Sequence, residues 1–280
     1  MTMLSDTEAL SRRDELVELG YTIIPNVMPQ ELIEELKAWS DEVFTKINVD
    51  PKYRYQGSDV HVYTKERWAM MDREPDDRRF PDPIVRKIIE QPLQTQLCKQ
   101  MMLEDLRSSG NIIILSKPGY GPPLYWHQDF MNWNSPIAAT PWPTKIFLSY
   151  YMTDTTPENG CLRVIPGTHR KRIELHDILP DAHEAEIQAV DDLSHPAFAD
   201  HPDAIDVPMK AGDLIIADAR LMHGAYPNQT DQRRTLLLAW HDVFRFPNPP
   251  SWWTGDVPDV VKNADLTAKY EVSRTPSHYI

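Results

Sequence analysis

A mainly β protein, with a sandwich or barrel core wrapped by N-terminal helices, is what the sequence predicts, and three observations carry that prediction. From residue 111 onward, short apolar runs recur between turn signals, the pattern of an all-β domain. Pro118-Gly119, Asn159-Gly160, Pro166-Gly167 and Ala211-Gly212 punctuate those runs. Before about residue 110 the pattern differs: apolar residues fall at helical spacing between recognisable helix start and stop signals.

Taken in order, Ser5 followed by Glu8 fits a capping box, and Gly20 is a natural helix stop. Tyr21-Thr22-Ile23-Ile24 then reads as a short strand. Pro29 sits where a first helical position belongs, and Leu32, Leu36, Trp39 and Val43 recur at helical spacing through about Ile47. A third helix is predicted over residues 84–103, with Pro92 as a break or kink. Strands are predicted at 111–117, 124–129, 145–152, 161–166, 213–218 and 235–241. The stretch 176–209 is long, acidic and proline-containing, and reads as a lid or a surface excursion. One domain spanning 1–280 is expected: a helical part to about 110, the β core over about 111–245, and a tail over 246–280.

Composition narrows the partners. A formal charge of −13 without clustered Lys or Arg argues against a nucleic-acid surface, leaving a small-molecule substrate as the expected partner. No run approaches the roughly 18 apolar residues that cross a bilayer, so no membrane partner is expected. The N-terminus lacks the basic and apolar regions of a signal peptide. Two distant cysteines, Cys98 and Cys161, offer no disulfide framework, which suits a reducing cytoplasm. The sequence carries no signal for oligomeric state.

The chemistry is concentrated in the run YWHQDFMNWN, residues 125–134. On a strand, His127 and Asp129 would share one face and converge on one point. That tripeptide is weak evidence alone; a third donor, His223, stands just beyond the apolar run 214–218, with Arg234 on the next strand. Two histidines and one carboxylate form the facial triad of non-haem Fe(II) oxygenases, which leaves adjacent coordination positions open.

These residues resemble the phytanoyl-CoA dioxygenase family of Fe(II)/2-oxoglutarate oxygenases, which includes ectoine hydroxylase. The resemblance rests on WHQDF, on TDTTPENGCLRVIPGTHR at 153–170 and on AGDLIIADARLMHGAYPNQTDQRRT at 211–235, within about 111–241. The start GYTIIPNVMPQELIEEL is also similar to the family, whereas the tail after about 245 has no counterpart. The resemblance implies a double-stranded β-helix, the cupin-like jelly roll. It implies that His127, Asp129 and His223 are catalytic iron ligands, and that Arg234 pairs with the distal carboxylate of 2-oxoglutarate. A guanidinium fork suits that carboxylate, binding it bidentately while staying charged. Fe(II), 2-oxoglutarate and O2 are the implied cofactors, and the implied reaction hydroxylates an unactivated C–H bond with release of succinate and CO2. Relatives that halogenate replace the carboxylate with a small residue, so Asp129 favours hydroxylation. One departure is Ala225, where the family often has a hydroxyl residue; its loss removes a co-substrate hydrogen bond worth on the order of 1 kcal/mol.

Weaker candidates surround this set. Lys117 and Ser149 are candidates for co-substrate contact. Tyr125 shares the ligand face, and continued alternation would bring Trp133 there too, where both could meet a cationic substrate by cation–π contact. Arg233 should point away from Arg234. His176, His183, His195 and His201, with Asp177 or Glu184, lack the i, i+4 pairing of a second metal site, and His169 reads as ending a turn. The absence of a basic cluster disfavours a long-chain acyl-CoA. Two rivals stand beside the hydroxylase: a cupin-like metalloenzyme that does not use 2-oxoglutarate, and a non-catalytic 2-oxoglutarate- or metal-binding protein. Arg234 separates the first from the hydroxylase.

Overall fold

The computed structural model describes residues 4–46, 54–55, 58–63, 92–182, 184, 187 and 192–280. Helix α1 (Asp6–Leu19) opens on the predicted capping box. The Ser5 hydroxyl accepts from the Glu8 N–H at 3.3 Å, and the Ser5 N–H donates to the Glu8 carboxylate at 3.0 Å. It stops at Gly20, whose φ of 89° is the left-handed conformation that favours glycine. Strand β1 (Tyr21–Ile24) follows, then α2 (Gln30–Lys46). Pro29 stands just before α2, and its carbonyl accepts the first helical N–H bond, from Ile33.

The third helix differs from expectation. Helix α3 covers Pro92–Gln100, so Pro92 begins it, where its missing N–H costs nothing; residues 84–91 lie outside the described residues. Strands β2 (Arg54–Tyr55) and β3 (Ser58–Tyr63), absent from the sequence reading, precede it.

The remaining strands are β4 (Arg107–Lys117), β5 (Leu124–His127), β6 (Lys145–Tyr151), β7 (Leu162–Val164), β8 (Ile205–Val207), β9 (Leu214–Asp218), β10 (His223–Ala225) and β11 (Arg234–Asp242). Two antiparallel sheets result, one ordered β1-β9-β6-β11-β4-β3-β2 and the other β5-β10-β7-β8. Together they form the expected jelly-roll core. The apolar runs of β6 and β9 are continuous because these strands are buried on both faces. Ile146, Leu148, Ile216 and Leu237 pack outward against Leu16 of α1, Leu36 of α2 and Leu97 of α3. Phe147, Tyr151, Ile215 and Leu236 face inward against Leu162, Val164 and Val207 of the smaller sheet. Each such side chain contributes roughly 1.5–3 kcal/mol by leaving water.

The described residues of the 176–209 stretch carry regular structure. They include most of α4 (Leu175–Ile178), a 3-10 turn at Pro196–Phe198 and β8, which pairs with β7. Trp126 Nε1 donates to the Ala199 carbonyl at 2.8 Å, and Arg163 pairs with Asp200 at 2.7 Å, so the segment at Ala199 and Asp200 is docked on the smaller sheet. A last short helix, α5 (Asp259–Lys262), lies in the tail. Among the described residues, no helix is long and apolar enough to cross a membrane.

Candidate metal centre and co-substrate pocket

Strands β5 and β10 are neighbours, and their register sets His127 directly opposite His223. The two imidazole centroids lie 4.1 Å apart. Strand β5 ends at His127, so Asp129 does not arrive by strand alternation; it reaches back from the irregular segment that follows. Its Oδ1 lies 3.6 Å from His127 Nε2 and its Oδ2 lies 3.9 Å from His223 Nε2. The three donor atoms fall within 4.8 Å of one another, all on buried residues.

Backbone carbonyls fix the imidazoles. His127 Nδ1 lies 2.9 Å from the Tyr125 carbonyl, and His223 Nδ1 lies 2.9 Å from the Leu221 carbonyl. A carbonyl only accepts, so each Nδ1 carries the proton and each Nε2 is the unprotonated nitrogen that can ligate a metal. Burial, reinforced by neighbouring His223, pushes His127 well below the usual histidine range, keeping it neutral as a ligand must be. Burial raises the Asp129 carboxyl, partly offset by His223 and the Trp240 hydrogen bond. A cation among these groups would reverse that cost, and the donor set fits Fe(II).

Farther in, Arg234 opens β11 directly opposite Lys117, the last residue of β4. Both are buried, and among the described residues no carboxylate pairs with either. Lys117 Nζ donates to the Tyr226 carbonyl at 2.7 Å, while Arg234 Nε has no hydrogen-bond partner. Burial, and then Arg234, holds the Lys117 ammonium well below its usual pKa; burial also lowers Arg234. Two buried cations with no counter-charge form a pocket for an anion. Arg233 points to the opposite face, its guanidinium 5.5 Å from the Phe44 ring of α2.

The weaker candidates divide. Ser149 is buried on β6 between inward-facing Phe147 and Tyr151, so its hydroxyl faces the same interior. Tyr125 is buried with its ring edge-on to His127 at 5.1 Å, backed by Ile187 and Ala197. Trp133 is not brought to the metal side. With the strand ended at His127, it packs instead against Phe130, Ala138, Ala219, Tyr279 and Ile280. Ala225 is buried on β10, two residues after His223. His195 and His201 accept from nearby backbone N–H groups, and His169 Nε2 donates to the Val17 carbonyl of α1; His183 lies outside the described residues.

Sequence reasoning missed the supports. Arg220, fully buried, pairs with Asp218 at 2.6 Å and donates to the carbonyls of Ala138, Thr140 and Trp142, fixing the turn that leads into His223. Gln128, between the two β5-side ligands, donates to the Arg220 carbonyl and lies 3.1 Å from His176 Nε2. Trp240 Nε1 donates to Asp129 Oδ2 at 3.0 Å. The spacing DxRxxH at 218–223 was a visible signal for the first; nothing local marked the other two.

Comparison with known proteins agrees with this geometry. A family model described as Phytanoyl-CoA dioxygenase (PhyH) matches residues 16–236. The chain is 25% identical over 188 residues to an ectoine dioxygenase from Bordetella bronchiseptica, covering 63% of this chain and 59% of that one. It is 35% identical over 135 residues to an ectoine dioxygenase from Sphingopyxis alaskensis, covering 45% and 44%. The chain thus spans about half the length of the curated relatives it matches. In fold, it is similar to HygX from Streptomyces hygroscopicus, solved with nickel and 2-oxoglutarate: TM-score 0.60, 16% identity, covering 94% of this chain and 96% of that one.

Proposed function

Because the chain belongs to the phytanoyl-CoA dioxygenase family, we propose that it is an Fe(II)- and 2-oxoglutarate-dependent dioxygenase that hydroxylates an unactivated C–H bond of a small metabolite or natural-product intermediate. The observation that carries this reading is the unpaired buried cation pair, Arg234 and Lys117, together with a two-histidine, one-carboxylate donor set, Lys117 Nζ donating to the carbonyl of Tyr226 three residues after His223. Neither part alone selects 2-oxoglutarate; a metal chelator with a distal carboxylate needs both.

His127, Asp129 and His223 hold Fe(II), which when bound activates O2 for attack on the substrate, with succinate and CO2 as co-products. Arg234 receives the distal carboxylate of 2-oxoglutarate through its guanidinium fork. Lys117 adds a second positive charge, and Ser149 a hydroxyl on the same inner wall. These contacts make up for the hydroxyl absent at Ala225. Phe147, Tyr151 and Leu236 keep water out, which strengthens every charge interaction inside. Tyr125 forms a wall beside the His127 ligand. Similarity to ectoine dioxygenases supports a small-molecule substrate. The buried thiols of Cys98 and Cys161, pushed up by burial to about 12 and about 11, suit a reducing cytoplasm.

The test is anaerobic addition of Fe(II) followed by titration of 2-oxoglutarate, watching for the visible metal-to-ligand charge-transfer band that two-point chelation produces. A band that is lost in Arg234→Ala supports the reading. Metal binding without a band instead favours the cupin-like enzyme that does not use 2-oxoglutarate. A band, followed by no succinate release with any substrate, favours the non-catalytic binding protein.

A further inference from the structure

The carboxylate of Asp129 lies beyond the end of β5, where no strand pairing fixes it. Its anchor comes from across the barrel. Trp240 on β11 shares the inward face with Arg234, Leu236 and Leu238, and its indole N–H reaches Asp129 Oδ2 at 3.0 Å. Trp240 is directly opposite Phe147 on β6, and the Phe147 ring lies 5.1 Å from the ring of His223. One cross-strand pair therefore touches two of the three metal donors.

The strand is built to aim that indole. Against β6, β11 keeps an unbroken register from Leu236 to Asp242, whereas against β4 its register shifts between Ala239 and His241, at Trp240. Such irregularities re-aim side chains beside functional sites. An indole N–H only donates, so at Asp129 it takes one lone pair of Oδ2, which lies 3.9 Å from His223 Nε2, while Oδ1 lies 3.6 Å from His127 Nε2.

We propose that Trp240 is a positioning residue that makes Asp129 a one-oxygen ligand of the bound metal. The proposal rests on the Fe(II)/2-oxoglutarate reading given above. Its consequence is chemical. A carboxylate bound through both oxygens would take a coordination position that the co-substrate or O2 requires, and the indole hydrogen bond on Oδ2 weakens that oxygen as a ligand and so favours binding through Oδ1.

The test compares wild type with Trp240→Phe, which keeps an aromatic ring but has no N–H. Co(II) is titrated anaerobically as the probe, recording its affinity and its d–d absorption, whose intensity reports coordination number. Folding is checked in parallel by circular dichroism and thermal unfolding. The expected result is normal secondary structure, Co(II) affinity about 10-fold lower or worse, and a weaker d–d band as the freed carboxylate adds its second oxygen. A role confined to packing would leave the spectrum unchanged. If Trp240→Phe does not fold, a benzothienylalanine at 240, which keeps the indole shape with sulfur in place of N–H, makes the same comparison. A folded variant whose Co(II) affinity and spectrum equal those of wild type overturns the proposal alone. Absence of Co(II) binding in wild type overturns the metal reading, and the proposal with it.

Discussion

Arg234 and Lys117 face each other across β11 and β4, both buried, with no carboxylate paired to either among the described residues. Taking such charges out of water costs several kcal/mol per ion unless something compensates. A fold does not keep two adjacent uncompensated cations for stability. They are instead a standing electrostatic demand for an anion, carried on the larger sheet, with Lys117 Nζ on the carbonyl of Tyr226, three residues after His223.

Removing Arg234 should therefore separate co-substrate binding from metal binding. In Arg234→Ala, 2-oxoglutarate affinity measured by calorimetry on the metal-loaded protein should fall on the order of 100-fold, the scale of truncating a buried charged partner. Metal affinity should stay within a few-fold of wild type.

Lys117→Met should move two readouts in opposite directions. Replacing a buried cation by an apolar chain of similar length should raise the unfolding free energy of the ligand-free protein by about 1–3 kcal/mol in urea. The same change should weaken 2-oxoglutarate binding by about 10-fold. Lower stability in the variant would mean that the ammonium's hydrogen bond to the Tyr226 carbonyl outweighs its desolvation.

Arg220 should behave as a keystone of the fold. Arg220→Ala leaves Asp218, itself fully buried, without its guanidinium and strips the donor from three backbone carbonyls. Breaking a buried pair in this way costs roughly 3–5 kcal/mol, to be read from the urea midpoint. Because the turn carries His223, metal affinity should drop with it.

The stability profile should slope on the acid side. Burial lowers both His169 and His241 to about 4, so both are neutral in the fold at pH 7. Unfolded, each takes up a proton near pH 6.5. As pH falls from about 6.5 toward 4 the unfolded state binds more protons than the native state, and stability declines. Urea unfolding of the ligand-free protein at pH 7.5, 6 and 5 should show a steady loss, and His169→Gln should flatten part of it. Equal stability at the three values would contradict the neutral assignment.

Legibility of the fold followed the range of the interactions. The cap at Ser5 and the stop at Gly20 involve neighbours in sequence and were readable. Strand ends were not: β5 stopping at His127 rather than at 129 sends Trp133 into a cluster with Tyr279 and Ile280 instead of toward the metal. Pro92 could equally mark a kink or a start; the structure places it at the start, where a missing N–H leaves no bond unmade.

By itself, the sequence determined the chemical types: two imidazoles, a carboxylate and an arginine in fixed order along a chain of short apolar runs. Those identities set which metal and which counter-ion are chemically possible. Tertiary structure alone decided that His127 stands opposite His223, that Lys117 faces Arg234, and that Trp240 holds Asp129. Each of these pairs joins segments far apart in sequence, so its geometry depends on strand register and on where strands end, and both are set by how the two sheets bury their faces rather than by local preference.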